Sequence, residues 1–415
     1  MLGANVWRQI IGVDRATVIE SAQVTGEQDA IVVSVRPRRA TKRRCGRCGI
    51  RAPGYDQGEG RRRWRALDLG VVPCYVEADA PRVNCPVHGV TVAQVPWARH
   101  DAGHTYDFDD QVAWLVTHAP KSTVAELMRI AWRSVGAIIA RIVADGRAAH
   151  DPFSGLTRIG IDEISYKRGH RYLTVVVDHD TGRLVWAAVG RDKATLEGFF
   201  DLLGDERCAM IRVVTADGAT WIDGVVKKRL KNAVLCIDSF HVCKWASDAL
   251  DEVRREVWNQ ARNHGMRAHA KELKGCRFAL WRNPEDLTAH QEAKLSWIAR
   301  ENAVLYRAYL LKEQLRLAIR TKGIVSLTML DTWLAWAARS RIPAFVDLGR
   351  KVRRHLPGIE AAMLHNVSNA LVESTNTKLR VLHRIAFGFR EPEHLIALAY
   401  LDRGGYCPPL PGRVR

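Results

Sequence analysis

The 415 residues carry 47% apolar and 26% charged side chains, enough for several domains with a core in each, which excludes a disordered or collagen-like chain. Lys and Arg number 63 against 45 Asp and Glu, and this formal charge of +18 favours polyanionic partners, nucleic acid first. No apolar run is long enough to span a bilayer, and residues 1–14 lack a basic segment followed by an apolar one, so the expectation is a soluble cytoplasmic protein without membrane contact.

Short β-type runs, such as residues 30–35, characterise positions 6–35. The chain then turns basic: between positions 31 and 66, twelve Lys and Arg, among them Arg61, Arg62 and Arg63, stand against Asp56 and Glu59 alone. Within and just beyond this stretch lie Cys45-Gly-Arg-Cys48-Gly and Cys85-Pro-Val-His88-Gly, two ligand pairs separated by 36 residues. Nine cysteines is an odd number for a disulfide framework, whereas two pairs with two-residue spacers can converge on one tetrahedral ion. Cys45, Cys48, Cys85 and His88 are therefore the expected ligands of a structural Zn²⁺, with the glycines after Cys48 and His88 permitting tight turns. Cys74, in an apolar run, reads as a buried structural cysteine outside that site. The module's expected task is to present its arginines to phosphate.

Positions 121–144 change to helical spacing, with Val124, Leu127 and Ala131 on one stripe and Val135, Ile138, Ile139 and Ile142 on the next. Ser134 is a candidate cap for the second helix. Two helices and a tight turn suggest a helix-turn-helix whose second helix carries Arg133 and Arg141 toward DNA, although a plain helical hairpin fits the periodicity as well.

Asp151-Pro152 marks a linker. Beyond it an apolar strand ends in Asp162-Glu163, two further strands at 172–178 and 183–189 complete a meander, and a helix follows over 193–203. A strand over 210–215 runs toward Asp217, a helix covers 221–230, and a strand over 233–237 leads into Asp238-Ser-Phe-His241. A three-strand meander followed by alternating strands and helices is the element order of an RNase H-like α/β fold. Asp162 and Asp217, each after an apolar strand, can meet at one sheet edge, and their mutual repulsion calls for a divalent cation, Mg²⁺ or Mn²⁺. Glu373 is the best third acid, on a helix where it shares a polar face with Asn376, Thr377 and Arg380, opposite Leu371, Leu379 and Leu382. Glu163 and Asp223 rival Asp162 and Asp217. Each acid taken singly also reads as a cap or a solvated side chain.

Between Asp217 and Glu373 the 156-position separation implies an insertion, and helical spacing over 245–262, 288–299, 304–319 and 327–338 makes it all-α. Trp258, Trp281, Trp297, Trp333 and Trp336 fall there, mostly on core stripes, with one of them able to stack on an unpaired base. Arg353 and Arg354, in a basic group before the third acid, are candidate phosphate contacts. The Pro-rich end reads as disordered.

These residues together resemble the ISL-three family of bacterial insertion-sequence DDE transposases over nearly the whole chain. The resemblance rests on the Cys45, Cys48, Cys85 and His88 finger, Ile161-Asp162-Glu163, Thr215-Ala216-Asp217, the run from Asp238 to Val242, and positions 369–389. It implies a catalytic triad of Asp162, Asp217 and Glu373 holding two Mg²⁺ ions, with Asp238 and His241 as accessory groups beside Asn376 and Arg380. It implies binding to terminal inverted repeats, cleavage and strand transfer into target DNA, a homodimer or larger synaptic assembly, and a bacterial, nucleoid-associated setting. The expected organisation is a basic zinc-binding domain over 1–100, a helix-turn-helix region over 101–152, catalytic segments over 153–244 and 366–402 flanking an insertion over 245–365, and a tail over 403–415. A non-catalytic DNA-binding regulator derived from a transposase, or a nuclease without strand transfer, remain the alternatives at this point.

Overall fold

The computed structural model describes all residues except 1, 2, 26–28, 168, 218, 322, 366–368, 414 and 415. The chain divides into two compact units, one comprising residues 1–151 with 382–415 and the other 152–381.

In the first unit, α1 (Ala4–Ile10) precedes β1 (Thr17–Thr25), β2 (Ala30–Pro37), β3 (Gly54–Asp56), β4 (Arg61–Leu69), β5 (Val72–Asp79), β6 (Arg82–Cys85) and β7 (Gly89–Val92). The β-type reading from position 6 is thus corrected: a helical segment comes first and the strands begin at Thr17. One sheet has the order β1-β2-β5-β4, and its inner face, including Val33, Trp64 and Val76, closes over Trp97. A second, small sheet, β3-β6-β7, carries the cysteine module. Then come α2 (Tyr106–Val116), α3 (Lys121–Leu127) and α4 (Trp132–Ala149).

Two local expectations fail here for identifiable reasons. Helix α4 starts at Trp132 with Ala131 as its N-cap residue, so Ser134 is already inside the first turn and caps nothing. In α3 the buried positions are Val124 and Ala125, with Met128 just beyond, which leaves Leu127 61% exposed and Ala131 exposed too. Helix α4 does bury Val135, Ile138, Ile139 and Ile142 as its spacing predicts.

The second unit begins with β8 (Arg158–Lys167), β9 (Arg171–Asp178), β10 (Leu184–Val189), α5 (Lys193–Leu203), α6 (Asp205–Met210), β11 (Val213–Ala216), α7 (Thr220–Arg229) and β12 (Val234–Ile237). Their sheet order, β10-β9-β8-β11-β12, is antiparallel across the meander and parallel between β8, β11 and β12, the RNase H-like arrangement. Met210 closes a short helix rather than opening the fourth strand. Nor does β8 end at its acids, because β9 continues to pair with it as far as Lys167.

An all-α insertion follows: α8 (Ser239–Asn263), α9 (Arg267–Gly275), α10 (Arg277–Trp281), α11 (Ala289–Glu301), α12 (Ala303–Arg320), α13 (Ile324–Arg339), α14 (Pro343–Arg354) and α15 (Leu356–His365). Its core gathers around Leu250, Leu311 and the fully buried Trp333, with Trp258, Trp297 and Trp336 packed partly buried against it. Trp281 is 40% exposed under the Arg277 guanidinium. Helix α16 (Ala370–Ile385) carries Glu373, and α17 (Pro392–Arg403) packs on α4 within the first unit. The segment after α17, read as disordered, is ordered coil to Arg413, with the Tyr406 ring filling the space beside Gly146.

Candidate active site and metal centre

The four expected zinc ligands converge. Cys85 ends β6 and His88 stands just before β7, so the hairpin turn places both at one tip, while Gly49 and Gly89 adopt φ of +70° and +65° to close the two knuckles. Cys45 Sγ lies 3.7 Å from His88 Nδ1, Cys48 Sγ 3.7 Å from Cys85 Sγ, and Cys85 Sγ 3.8 Å from His88 Nδ1. A tetrahedron with Zn–S bonds of about 2.3 Å has S···S edges of about 3.8 Å, so the donors already have zinc spacing. Burial opposes ionisation of the Cys85 thiol, but backbone amides at Val87 and His88, with the His88 ring and Cys45, bring it down to about 6, toward the thiolate that binds metal. Cys74 is buried on β5, apart from this set.

The basic side chains proposed for DNA have unequal settings. Arg61 and Arg63, on one face of β4, both grip Glu77 at 3.0 and 2.8 Å. Arg62 donates to the Ala102 carbonyl and lies over the Trp64 ring. Arg133 is exposed at the start of α4, whereas Arg141 is drawn inward to the fully buried Asp109 at 2.9 Å. Arg353 and Arg354 are exposed in the last turn of α14.

In the second unit the parallel register does what the strand-end pattern asks of it. Thr215 is level with Gly160, so two residues further Asp217 is level with Asp162, and Ala216 opposite Ile237 brings Asp238 level with Asp217. Three aspartates on three neighbouring strands thus share one edge. Burial above all, then the charges of Asp217 and Glu373, push the Asp162 carboxyl up to about 6 against the opposing amide N–H of Glu163 and His241. Glu163 is pushed up to about 7 by burial and Asp217, although Arg191 stands 3.4 Å away. Among the described residues only the cysteine–histidine set draws its ligand atoms within 4.8 Å of one another; the carboxylates of Asp162, Asp217 and Glu373 interact over longer range.

Helix α16 is oriented by polar contacts that its sequence only partly announces. Asn376 Nδ2 donates to Asp162 Oδ2 at 2.8 Å, and Asn376 is 1% exposed, so it faces inward while Leu371 is 43% exposed. The simple division into a polar outer face and a leucine inner face is thereby corrected: Val372, Thr375, Asn376 and Leu379 make the buried face. Glu373, one turn before Asn376, is half-buried, and Arg380 is exposed.

Before the helix, Asn369 accepts from Thr215 Oγ1 at 2.8 Å and donates its backbone N–H to Asp238 Oδ1 at 3.3 Å. His179 Nε2 is 2.7 Å from the same Thr215 hydroxyl. Asp238 also caps α8 through Phe240 N–H and holds His241 Nδ1 at 3.2 Å, which raises the pKa of that histidine despite its burial. His179, Thr215 and Asn369 escaped sequence reasoning; the one signal was a hydroxyl at a buried strand position two residues before an acid. Asp223 is taken up by Lys227 at 2.9 Å in α7.

The donor chemistry fits a hard divalent cation. Buried carboxylates of like charge cluster, and Glu163 Oε1 and Asn376 Oδ1 are buried oxygens without a hydrogen-bond donor. A zinc-bearing basic module, three helices containing a helix-turn-helix, and an RNase H-like core interrupted by helices with acids at its edge define the class of DDE transposases.

Comparison with known proteins agrees along the chain. A family model described as transposase matches residues 159–399, the helix-turn-helix domain of transposase family ISL3 matches 93–143, and the zinc-finger of transposase IS204/IS1001/IS1096/IS1165 matches 41–88. The transposase for insertion sequence element IS1557 of Mycobacterium tuberculosis, in strains CDC 1551 / Oshkosh and ATCC 25618 / H37Rv, is 55% identical over 100% of this chain and 98% of its own length. The transposase for insertion sequence element IS1001 of Bordetella parapertussis is 26% identical over 84% of this chain and 86% of its own. The chain belongs to the ISL3 family of transposases.

Proposed function

We propose that this transposase binds the terminal inverted repeats of its element through residues 1–152 and cuts and joins DNA with Asp162, Asp217 and Glu373. The observation that supports this most is the alignment of Asp162 with Asp217 across adjacent parallel strands, with α16 fastened to Asp162 through Asn376. Those three carboxylates would hold two Mg²⁺ ions, or Mn²⁺ in their place, which when bound activate the attacking oxygen and stabilise the leaving one. The chain's own residues supply placement. Asn376 fixes one oxygen of Asp162, the Glu163 amide fixes the other at 2.8 Å, and Asp238 anchors the start of α8 and the approach to α16 together. His241 is partly buried against Asp238 and feels the charges of Asp217 and Asp162, so it bounds the same pocket.

Hydrolysis of a phosphodiester by in-line attack of water frees a 3′ hydroxyl, and that hydroxyl then displaces a second 3′ hydroxyl from a target phosphodiester, joining the strands. Arg61, Arg62, Arg63, Arg133, Arg141, Arg353 and Arg354 are the proposed phosphate contacts, and Arg380 borders the site from the exposed face of α16. The zinc module, the helix-turn-helix, the two catalytic segments and the insertion keep the boundaries expected from sequence in this reading. Synapsis of two ends requires a homodimer or larger assembly, acting on the bacterial nucleoid in the cytoplasm. No helix among the described residues is long and apolar enough to cross a membrane. An Asp162→Asn protein is expected to retain repeat binding and lose cleavage; strand transfer by that variant in Mg²⁺ would contradict the assignment.

A further inference from the structure

In the first unit a cavity of about 330 Å³ opens between the start of α4 and the turn joining α16 to α17. Its walls include Trp132, Phe387 and Phe389, with Lys121 and Arg390 as cations and Glu391 as an acid. Phe387 is 94% exposed, the highest value among the large apolar side chains of the described residues. Its backbone has φ of +54°, a left-handed conformation that a bulky residue adopts only under constraint, here the bonds from Phe387 N–H to the Arg384 carbonyl and from Gly388 N–H to the His383 carbonyl. Packing cannot account for a phenyl ring that buries almost nothing in a strained turn.

The opposite wall is built with similar care. Trp132, 53% exposed, occupies the first position of α4, and Lys121 Nζ sits 3.7 Å from its ring centroid. Gly136, inside α4, leaves room for that ammonium: a Cβ there would lie 2.8 Å from Lys121 Nζ. Mid-helix glycine is unfavourable by itself, so its value lies in placing the cation.

We propose that this cleft takes up one unpaired nucleotide of a DNA strand, its base stacked on Phe387 against the Trp132 wall and its flanking phosphates met by Lys121 and Arg390. Flat apolar faces rimmed by cations suit a base and its backbone, since every base offers a π-face and every linkage a negative charge. Exposed Arg133 and Arg384 add to that positive rim and outweigh Glu391. This inference rests on the reading that the chain handles DNA, and it adds a place where a strand leaves the duplex.

The test compares binding of an oligothymidylate and of the fully paired repeat duplex to the full-length protein, in Ca²⁺, for wild type, Phe387→Ala and Phe387→Trp. Phe387→Ala should weaken oligothymidylate binding about tenfold or more, leave duplex binding within about twofold, and be rescued by Phe387→Trp. A 5-iodouracil placed in the oligonucleotide should photo-crosslink to the peptides containing Phe387 or Trp132. Unchanged oligonucleotide binding, an equal loss on duplex, crosslinks confined to other peptides, or an effect on self-association alone would each overturn the proposal. Wild-type protein that joins repeat ends while Phe387→Ala binds oligothymidylate normally would overturn this inference only, whereas failure of wild type to bind either DNA would overturn the functional reading as well.

Discussion

Gly160→Ala is the most demanding test of how α16 is seated. Gly160 lies on β8 two residues before Asp162, on the same face, and a Cβ added there would stand 2.3 Å from Val372 Cγ2, 2.9 Å from His179 Nε2 and 3.0 Å from Thr215 Oγ1. Val372 is fully buried and directly precedes Glu373, so it has little room to retreat without carrying the helix with it. Overpacking of this kind costs about 1–3 kcal/mol, and disturbing the His179, Thr215 and Asn369 hydrogen bonds adds about 1 kcal/mol for each one lost. Thermal unfolding of the 152–381 unit should therefore fall by roughly 3–10 °C.

Displacing Glu373 by even about 1 Å should reduce end cleavage about 100-fold, while zinc content and repeat binding stay at wild-type levels. Adding Val372→Ala vacates the colliding methyl, so the double variant should recover part of both losses, a coupling expected only between residues in contact. Differential scanning calorimetry and a single-turnover cleavage assay measure the two effects. Wild-type melting and full cleavage in Gly160→Ala would refute the packing argument.

Cys45→Ser should abolish stoichiometric zinc and, with it, repeat binding, because one ligand of a closed site holds the module together; metal analysis showing a full complement would contradict the site. In protein freed of divalent cations, Asp162 at about 6 and Glu163 at about 7 keep protons in the folded state that the unfolded chain releases near 4. Their contribution to stability is thus fully present below about pH 4 and is lost as pH rises through 6 to 7, amounting to about 3 kcal/mol apiece. Urea midpoints should drop across that window and recover when Mg²⁺ is added at pH 7.5; a flat profile, or one untouched by Asp162→Asn, would oppose it. Phe387→Asn should raise stability by about 1 kcal/mol by relieving a left-handed phenylalanine, and an unchanged denaturation midpoint would show that no strain is stored there.

Periodicity and strand-end acids made the catalytic region legible because both depend on short-range chemistry. The meander, the 193–203 helix and the aspartates after apolar runs follow from alternation and from turn residues, and the paired cysteine spacing needs only local knuckles to become a metal site. What stayed hidden depends on contacts between distant positions. Asn376 is polar yet buried because Asp162, 214 residues away in sequence, offers it a carboxylate. Leu127 is apolar yet exposed because α3 turns Val124 and Ala125 inward instead. Asn369 and Thr215 meet across 154 residues, so neither local pattern contains the other. Arg141 illustrates the same limit, since only the fold reveals that the buried Asp109 claims it.

The central claim is that Asp162, Asp217 and Glu373 act as one metal-dependent centre that both cuts and joins DNA. The most direct test is an end-cleavage and strand-transfer assay on labelled duplex carrying the element's repeat, run in Mg²⁺ and in Ca²⁺ with wild type and Glu373→Gln. Joined products that require both Mg²⁺ and Glu373 are predicted. Specific repeat binding with no cleavage by wild type in Mg²⁺, or equal joining by Glu373→Gln, would contradict the account.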